Sequence, residues 1–117
     1  MAAPVWKPDP EKHDFPAAEE FLDLLLPPDI AENILHRLRT GDTTAKKAKD
    51  ILRASGLPLL PKDNLHVAHN IDKVNAGSKL SPVLLVRGRP LLIADGYHRV
   101  CAIYYLSEDL DVPCRLA

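Results

Sequence analysis

The sequence lacks the features that mark secreted, membrane-spanning and strongly charged proteins. Its 117 residues include only two cysteines, Cys101 and Cys114, and their spacing is not that of a metal site such as C-x-x-C. Reduced thiols and a cytoplasmic location are therefore expected, with a disulfide as the less favoured alternative. No apolar run reaches the length of a membrane span, and the proline-interrupted start does not resemble a secretory signal. A net charge of −1 provides no basic field for nonspecific binding to nucleic acid.

Residues 1–45 are predicted to form an arm followed by a helical hairpin. Asp14 can cap a helix that begins near Pro16, and a second helix follows a pair of prolines and ends near Gly41. Both helices carry apolar residues at helical spacing, so the hairpin could pack on the rest of the chain or form a dimer interface. Trp6 could anchor the arm on its own domain or on a partner protein, and packing within the chain is favoured. The arm itself is punctuated by Pro4, Pro8 and Pro10.

Residues 46–117 are predicted to form an α+β domain with a small mixed sheet. Residues 46–53 fit either a strand or a short helix, and Pro113 favours an edge position for the last strand. The remaining elements expected in chain order are a helix from Asp63 or Asn64 to about Asn75, strands over residues 83–86 and 91–94, a helix from Tyr97 to about Leu106, and a strand over residues 112–116.

The segment Asp95-Gly96-Tyr97-His98-Arg99 joins an apolar strand to a helix that is apolar on nearly every face. The start of a buried helix leaves N–H groups without partners and carries the positive end of the helix dipole. Gly96 has no side chain to block a ligand from the backbone. Arg99 suits phosphate or carboxylate, and His98 can donate a hydrogen bond or shuttle a proton. An anion site at the helix N-terminus is therefore predicted.

A purely structural role for these residues is the alternative interpretation. Asp95 could simply cap the helix, and Arg99 could pair with Asp95 or with another carboxylate such as Asp50. In that case the charged residues would stabilise the fold without contacting a ligand.

The preceding helix carries four polar residues on one face: His66, His69, Asn70 and Lys73. A solvated face is the simpler interpretation, and a metal site built from the two histidines with Asp63 is less favoured. If a metal takes part, Mg²⁺ carried in by a nucleotide is preferred over zinc, with Asp95 or Asp63 in reach.

The strand–DGYHR–helix segment resembles the ParB/sulfiredoxin superfamily, and the resemblance extends from about residue 46 to the end. Sulfiredoxins carry a G-G-C-H-R pattern, ParB proteins one like G-E-R-R, and free-serine kinases of this fold one like D-G-H-H-R. The resemblance implies a sheet of the same type and nucleotide phosphates bound by Gly96, Tyr97, His98 and Arg99. It also implies contacts from an earlier helix, where His66, His69 and Lys73 are the counterparts.

The sequence departs from each of these patterns. Tyr97 stands where sulfiredoxins have their reactive cysteine, so reductive chemistry on an oxidised cysteine is not expected. The acidic and doubled-arginine positions of ParB are not matched, and too few residues follow the motif for a helix-turn-helix module, so DNA binding is not expected. The kinase pattern is the nearest, although its first histidine is replaced and no catalytic glutamate is identified.

The function predicted from the sequence is binding of a nucleoside triphosphate, ATP or CTP with Mg²⁺. Phosphoryl transfer or nucleotide hydrolysis could accompany binding, with His98 and Asp95 as the catalytic residues. The alternative is a regulatory or protein-interaction module without catalysis, in which the anion pocket is structural or vestigial.

Overall fold

The computed structural model describes residues 3–117, and within them it has α+β architecture with a mixed sheet and an N-terminal helical hairpin, as predicted. None of the described helices is both long enough and apolar enough to cross a bilayer. The elements in chain order are β1 (Val5–Trp6), α1 (Asp14–Asp23), α2 (Pro28–Thr40), β2 (Thr44–Lys47), α3 (Ala48–Ser55), α4 (Leu65–Asn75), β3 (Lys79–Leu80), β4 (Val83–Val86), β5 (Leu92–Asp95), α5 (Tyr97–Leu106) and β6 (Asp111–Leu116).

The central sheet has four strands in the order β2-β6-β4-β5. β6 is antiparallel to β2 and parallel to β4, and β4 forms an antiparallel hairpin with β5. β6 is therefore an interior strand, and the prediction that Pro113 places it at an edge is wrong. Pro113 pairs with Ala45 of β2, whereas pairing with β4 begins only at Cys114. The missing proline N–H is tolerated because β4 does not yet run beside the strand at that level.

Helices cover both faces of this sheet. Val83 and Leu85 of β4 pack with residues of α3, α4 and α5, while Leu84 and Val86 pack with residues of α1 and α2. Burial on both faces explains why β4 is a continuous apolar run instead of an alternating one. Of the two alternatives for the hairpin, the structure shows packing on the domain.

Local sequence signals account for several element boundaries. Asn64 caps α4, since its side-chain oxygen accepts hydrogen bonds from the N–H groups of His66 and Val67 at 3.0 and 3.2 Å. The ambiguous residues 46–53 contain the end of β2 and most of α3, so both interpretations hold in part. The boundary drawn between residues 45 and 46 lies inside β2. Trp6 packs against the main core, as favoured.

The start of α1 differs from the prediction. The helix begins at Asp14 itself and not near Pro16, and the capping position belongs to His13. Asp14 therefore does not cap the helix. Its side chain is buried, with a residue exposure of 3%, and it faces the junction between β5 and α5. The sequence did not indicate that this buried aspartate belongs to the predicted site.

Candidate functional site

The N-terminus of α5 carries no side-chain cap. Gly96 occupies the capping position with a left-handed backbone (φ 107°). Helical hydrogen bonding begins with the Val100 N–H, which donates to the Gly96 carbonyl at 3.0 Å. The N–H groups of the preceding turn therefore lack intrahelical partners. Asp95 is the last residue of β5 and not the cap, so the capping alternative is wrong. This helix start is available to an anion.

Gly96 is required here by packing. A Cβ atom at this position would lie 2.4 Å from Val83 Cγ1 and 2.9 Å from an Arg99 guanidinium nitrogen. The positive φ disfavours any other residue as well. Close contact with β4 is thus a packing reason for glycine at this position, and the expected open approach for a ligand stays a prediction.

Arg99 is bound by the protein itself. Its Nη2 donates to Asp95 Oδ2 at 2.6 Å, and its Nη1 donates to the Ser81 hydroxyl. Asp14 Oδ1 lies 3.7 Å from Nη1. Asp50 pairs with Arg53 instead, at 3.0 Å. Among residues 3–117, the buried Arg99 Nε has no hydrogen-bond partner. The guanidinium thus joins β5, α5, α1 and the turn before β4.

Two carboxylates, Asp14 and Asp95, share this one guanidinium. Burial raises the pKa of Asp95 to about 6, with Arg99 opposing the shift and the Asp14 carboxylate reinforcing it. Asp14 Oδ2 also accepts the Glu11 N–H at 2.9 Å, and Asp14 Oδ1 lies 3.5 Å from His13 Nε2. The cluster therefore carries more acidic than basic groups, and the side chains of Asp14, Asp95 and Arg99 are largely buried.

An open cavity of about 250 Å³ lies in front of this cluster and the helix start. α4 contributes two side chains one turn apart, His66 and Asn70, to its wall. The His66 and His98 rings are 4.8 Å apart between centroids. Burial lowers the pKa of His98, and the neighbouring His66 lowers it further, so His98 is neutral at pH 7. The complete lining is His13, Asp14, His66, Asn70, Asp95, Gly96, His98 and Arg99.

The other predicted site residues lie elsewhere. His69 and Lys73 are exposed on α4 and do not line this cavity. Tyr97 does not line this cavity but lines a second cavity described below, and its hydroxyl donates to the Pro58 carbonyl in the loop between α3 and α4. His13 and Asp14 were missed as site residues, and no local pattern would have found them, because the packing of α1 on the sheet brings them there.

A second cavity of about 410 Å³ adjoins the first. Its walls are mostly apolar and include Phe21 of α1, Leu57 of the loop after α3, and residues 90–94. The two cavities share Asp95, Gly96 and His98. A ligand at the helix start can therefore place a polar group on one side of the junction and an apolar group on the other.

Within residues 3–117, no group of three or more His, Cys, Asp or Glu side chains is placed to hold a metal ion. Comparison of the chain with protein-family models, with curated proteins and with solved structures found no match in any of the three.

Proposed function

We propose that this protein binds a nucleotide, with the phosphates in the polar cavity at the N-terminus of α5. The observation that carries the proposal is the uncapped helix start, which opens into a cavity whose opposite wall holds His66 and Asn70. Free N–H groups, the helix dipole and side-chain N–H donors are groups that bind phosphate oxygens.

The shape of the adjoining cavities supports a nucleotide over a free phosphate ion. The polar cavity would take the phosphates, and the larger apolar cavity would take the base and ribose against Phe21 and Leu57. Ligand sites in proteins are typically apolar with a few converging polar groups, which is what these two cavities offer together. The sequence preference for ATP or CTP stays a prediction.

The resemblance to the ParB/sulfiredoxin superfamily supports the same assignment. It implies phosphate contacts from Gly96 and His98 and from the preceding helix, and these residues line one cavity together with His66. His69 and Lys73 would be reached only by a ligand that extends further along α4. Arg99 would act mainly by positioning the helix start, because its terminal nitrogens are bound to Asp95 and Ser81.

Phosphoryl transfer or hydrolysis at this site would require a proton acceptor beside the phosphates. His98 fits this role because its lowered pKa keeps it neutral and able to accept a proton at pH 7. Asp95 is adjacent but already accepts a hydrogen bond from Arg99. Mg²⁺ would arrive bound to the phosphate oxygens and would neutralise part of their charge.

A melting-temperature screen tests the proposal. The purified protein is heated with ATP, ADP, CTP, GTP or inorganic phosphate, each with and without Mg²⁺. A saturable upward shift is expected for at least one nucleotide, corresponding to about 2.7 kcal/mol at a ligand concentration of 100 Kd.

Two histidine variants make the screen specific to the site. His66→Gln should reduce the shift at fixed nucleotide concentration, whereas His36→Gln, an exposed position on α2, should leave it unchanged. No shift with any nucleotide, or equal shifts in both variants, would refute the assignment.

A protein-interaction module is the second candidate, and a specific surface favours it. Leu24 and Leu25 at the turn between α1 and α2 are 84% and 52% exposed, and Ile30 nearby is 46% exposed. Exposed apolar side chains grouped on one turn are typical of a contact surface. Sedimentation at rising protein concentration tests self-association, and Leu24→Ser should abolish any association that this turn mediates.

A further inference from the structure

Two carboxylates and one guanidinium form the buried wall of the polar cavity. The side chains of Asp14, Asp95 and Arg99 are only 4%, 20% and 14% exposed. With both carboxylates ionised, the three groups carry a net charge of −1. Burial of these side chains penalises such an imbalance, because Arg99 can balance only one of the two carboxylates.

The groups that face Asp95 from every neighbouring element add no permanent positive charge beyond Arg99. His98 and Arg99 come from α5, His66 and Asn70 from α4, and His13 and Asp14 from the start of α1. Behind them, Glu11 pairs with Lys7 and lies 3.1 Å from His13 Nε2, and Ser81 in the turn before β4 accepts a hydrogen bond from Arg99. An incoming anion would therefore become the third negative group around one guanidinium.

We propose that an anionic ligand binds in this cavity together with one proton from solvent, which the Asp14–Asp95 carboxyl pair takes up. The inference rests on the proposed function. With one carboxyl neutral, Arg99 balances the remaining carboxylate, and the anion meets the helix start without a second excess charge. Asp14 is thus a positioning residue that links anion affinity to pH, and it does so from the N-terminal hairpin.

The expected pH dependence follows from the ionisation of Asp95. Its pKa of about 6 means that the neutral form is a minor but accessible species at neutral pH. If only the form with one neutral carboxyl binds, the apparent affinity rises about 25-fold between pH 7.5 and pH 5.5. Protonation of a histidine would change the affinity in the same direction, so the group that takes up the proton has to be identified separately.

The test uses sulfate as the probe, because sulfate has no titratable proton in this pH range. Binding to the full-length protein is measured calorimetrically at pH 7.0 in buffers with different ionisation enthalpies, which gives the number of protons taken up per ion bound. Wild-type protein should take up about one proton. The histidine ring nitrogens, followed by NMR in the same titration, should show no change of protonation on sulfate binding.

The matched variant is Asp14→Asn, since the asparagine side-chain oxygen can still accept the Glu11 N–H. It should bind sulfate at pH 7.5 at least as tightly as wild type, with little proton uptake and a reduced pH dependence. Asp95→Asn is the second variant and should behave in the same way. The wild-type measurements decide the proposal even if neither variant folds.

The outcomes separate this inference from the proposed function. Sulfate binding without proton uptake, or uptake by a histidine seen in the NMR titration, would overturn the carboxyl coupling while the anion site stands. Absence of sulfate binding and of every nucleotide shift, at pH 5.5 as well as pH 7.5, would overturn the anion site and the coupling with it.

Discussion

Replacing Asp95 with asparagine should change how the stability of the protein depends on pH. Burial raises the pKa of Asp95 from an ordinary value of 3.8 to about 6 in the folded protein. Between these values the folded state binds more protons than the unfolded state. Stability is therefore lost as pH rises through this window, because ionisation of a buried carboxyl beside Asp14 opposes folding.

The magnitude follows from the same two values. Without screening, wild-type protein would lose about 2 kcal/mol from this group between pH 4.5 and pH 8. The Asp95 side chain is 20% exposed, and solvent around it reduces the effect to about 1 kcal/mol. His98 acts in the opposite direction, since its lowered pKa makes stability rise with pH. Both proteins contain His98, so its contribution cancels when the unfolding free energy of Asp95→Asn is compared with that of wild type at each pH.

The assay is urea unfolding of wild-type and Asp95→Asn protein at pH 4.5, 6 and 8. Relative to wild type, the variant should gain about 1 kcal/mol in unfolding free energy between the lowest and highest pH. Asp50→Asn is the control, because Asp50 is 47% exposed and pairs with Arg53 at the surface. A difference between Asp95→Asn and wild type that stays constant across pH would refute the reasoning.

Three further substitutions or reactions test other parts of the structure. Gly96→Ala should cost more than about 2 kcal/mol by urea unfolding, through its positive φ and its contact with Val83. It should cost less in a Val83→Ala background, where the contact with Val83 Cγ1 is removed and the positive φ remains; an unchanged midpoint for Gly96→Ala would contradict this. Tyr97→Phe should cost about 1 kcal/mol and increase hydrogen exchange in residues 57–60, and unchanged exchange there would mean that the hydroxyl does not hold the loop. Burial raises the pKa of Cys114 to about 11, so thiol reagents at pH 8 should label it far more slowly in native than in unfolded protein; equal rates would place it at the surface.

Local sequence patterns predict a helix or strand correctly where the structure of that element depends mainly on its own residues. The apolar run at residues 83–86 predicts a buried strand, and Asn64 with the apolar spacing after it predicts α4; both are observed. α5 was predicted at its observed bounds, Tyr97–Leu106, because its glycine start and apolar content leave few alternatives. Pro113 was misplaced because a proline shows only that an N–H is missing, and not which neighbouring strand would have needed it.

Only part of the candidate site could be predicted from the sequence, and the physical reason is different. The DGYHR segment is local, so its helix start and His98 could be named from the sequence, and the helical spacing of α4 made His66 a candidate as well. Asp14 lies 81 positions before Asp95, and it reaches the site only because α1 packs across the sheet. Burial is a property of the assembled fold, and burial is what turns an ordinary helix-start aspartate into a partner of Arg99.

This difference changes the chemistry expected of the arginine. From the sequence alone, Arg99 has no assigned partner, and its charge by itself indicates anion binding. In the fold its charge is already matched by Asp95 and approached by Asp14, so a bound anion must rely on the helix start, on His98 and on α4. Under the proposed coupling, an arginine held in this way favours an anion only when one of its two carboxyl partners is neutral. Anion affinity and the protonation of the pair are then two aspects of one equilibrium, and a measurement of either at two pH values constrains the other.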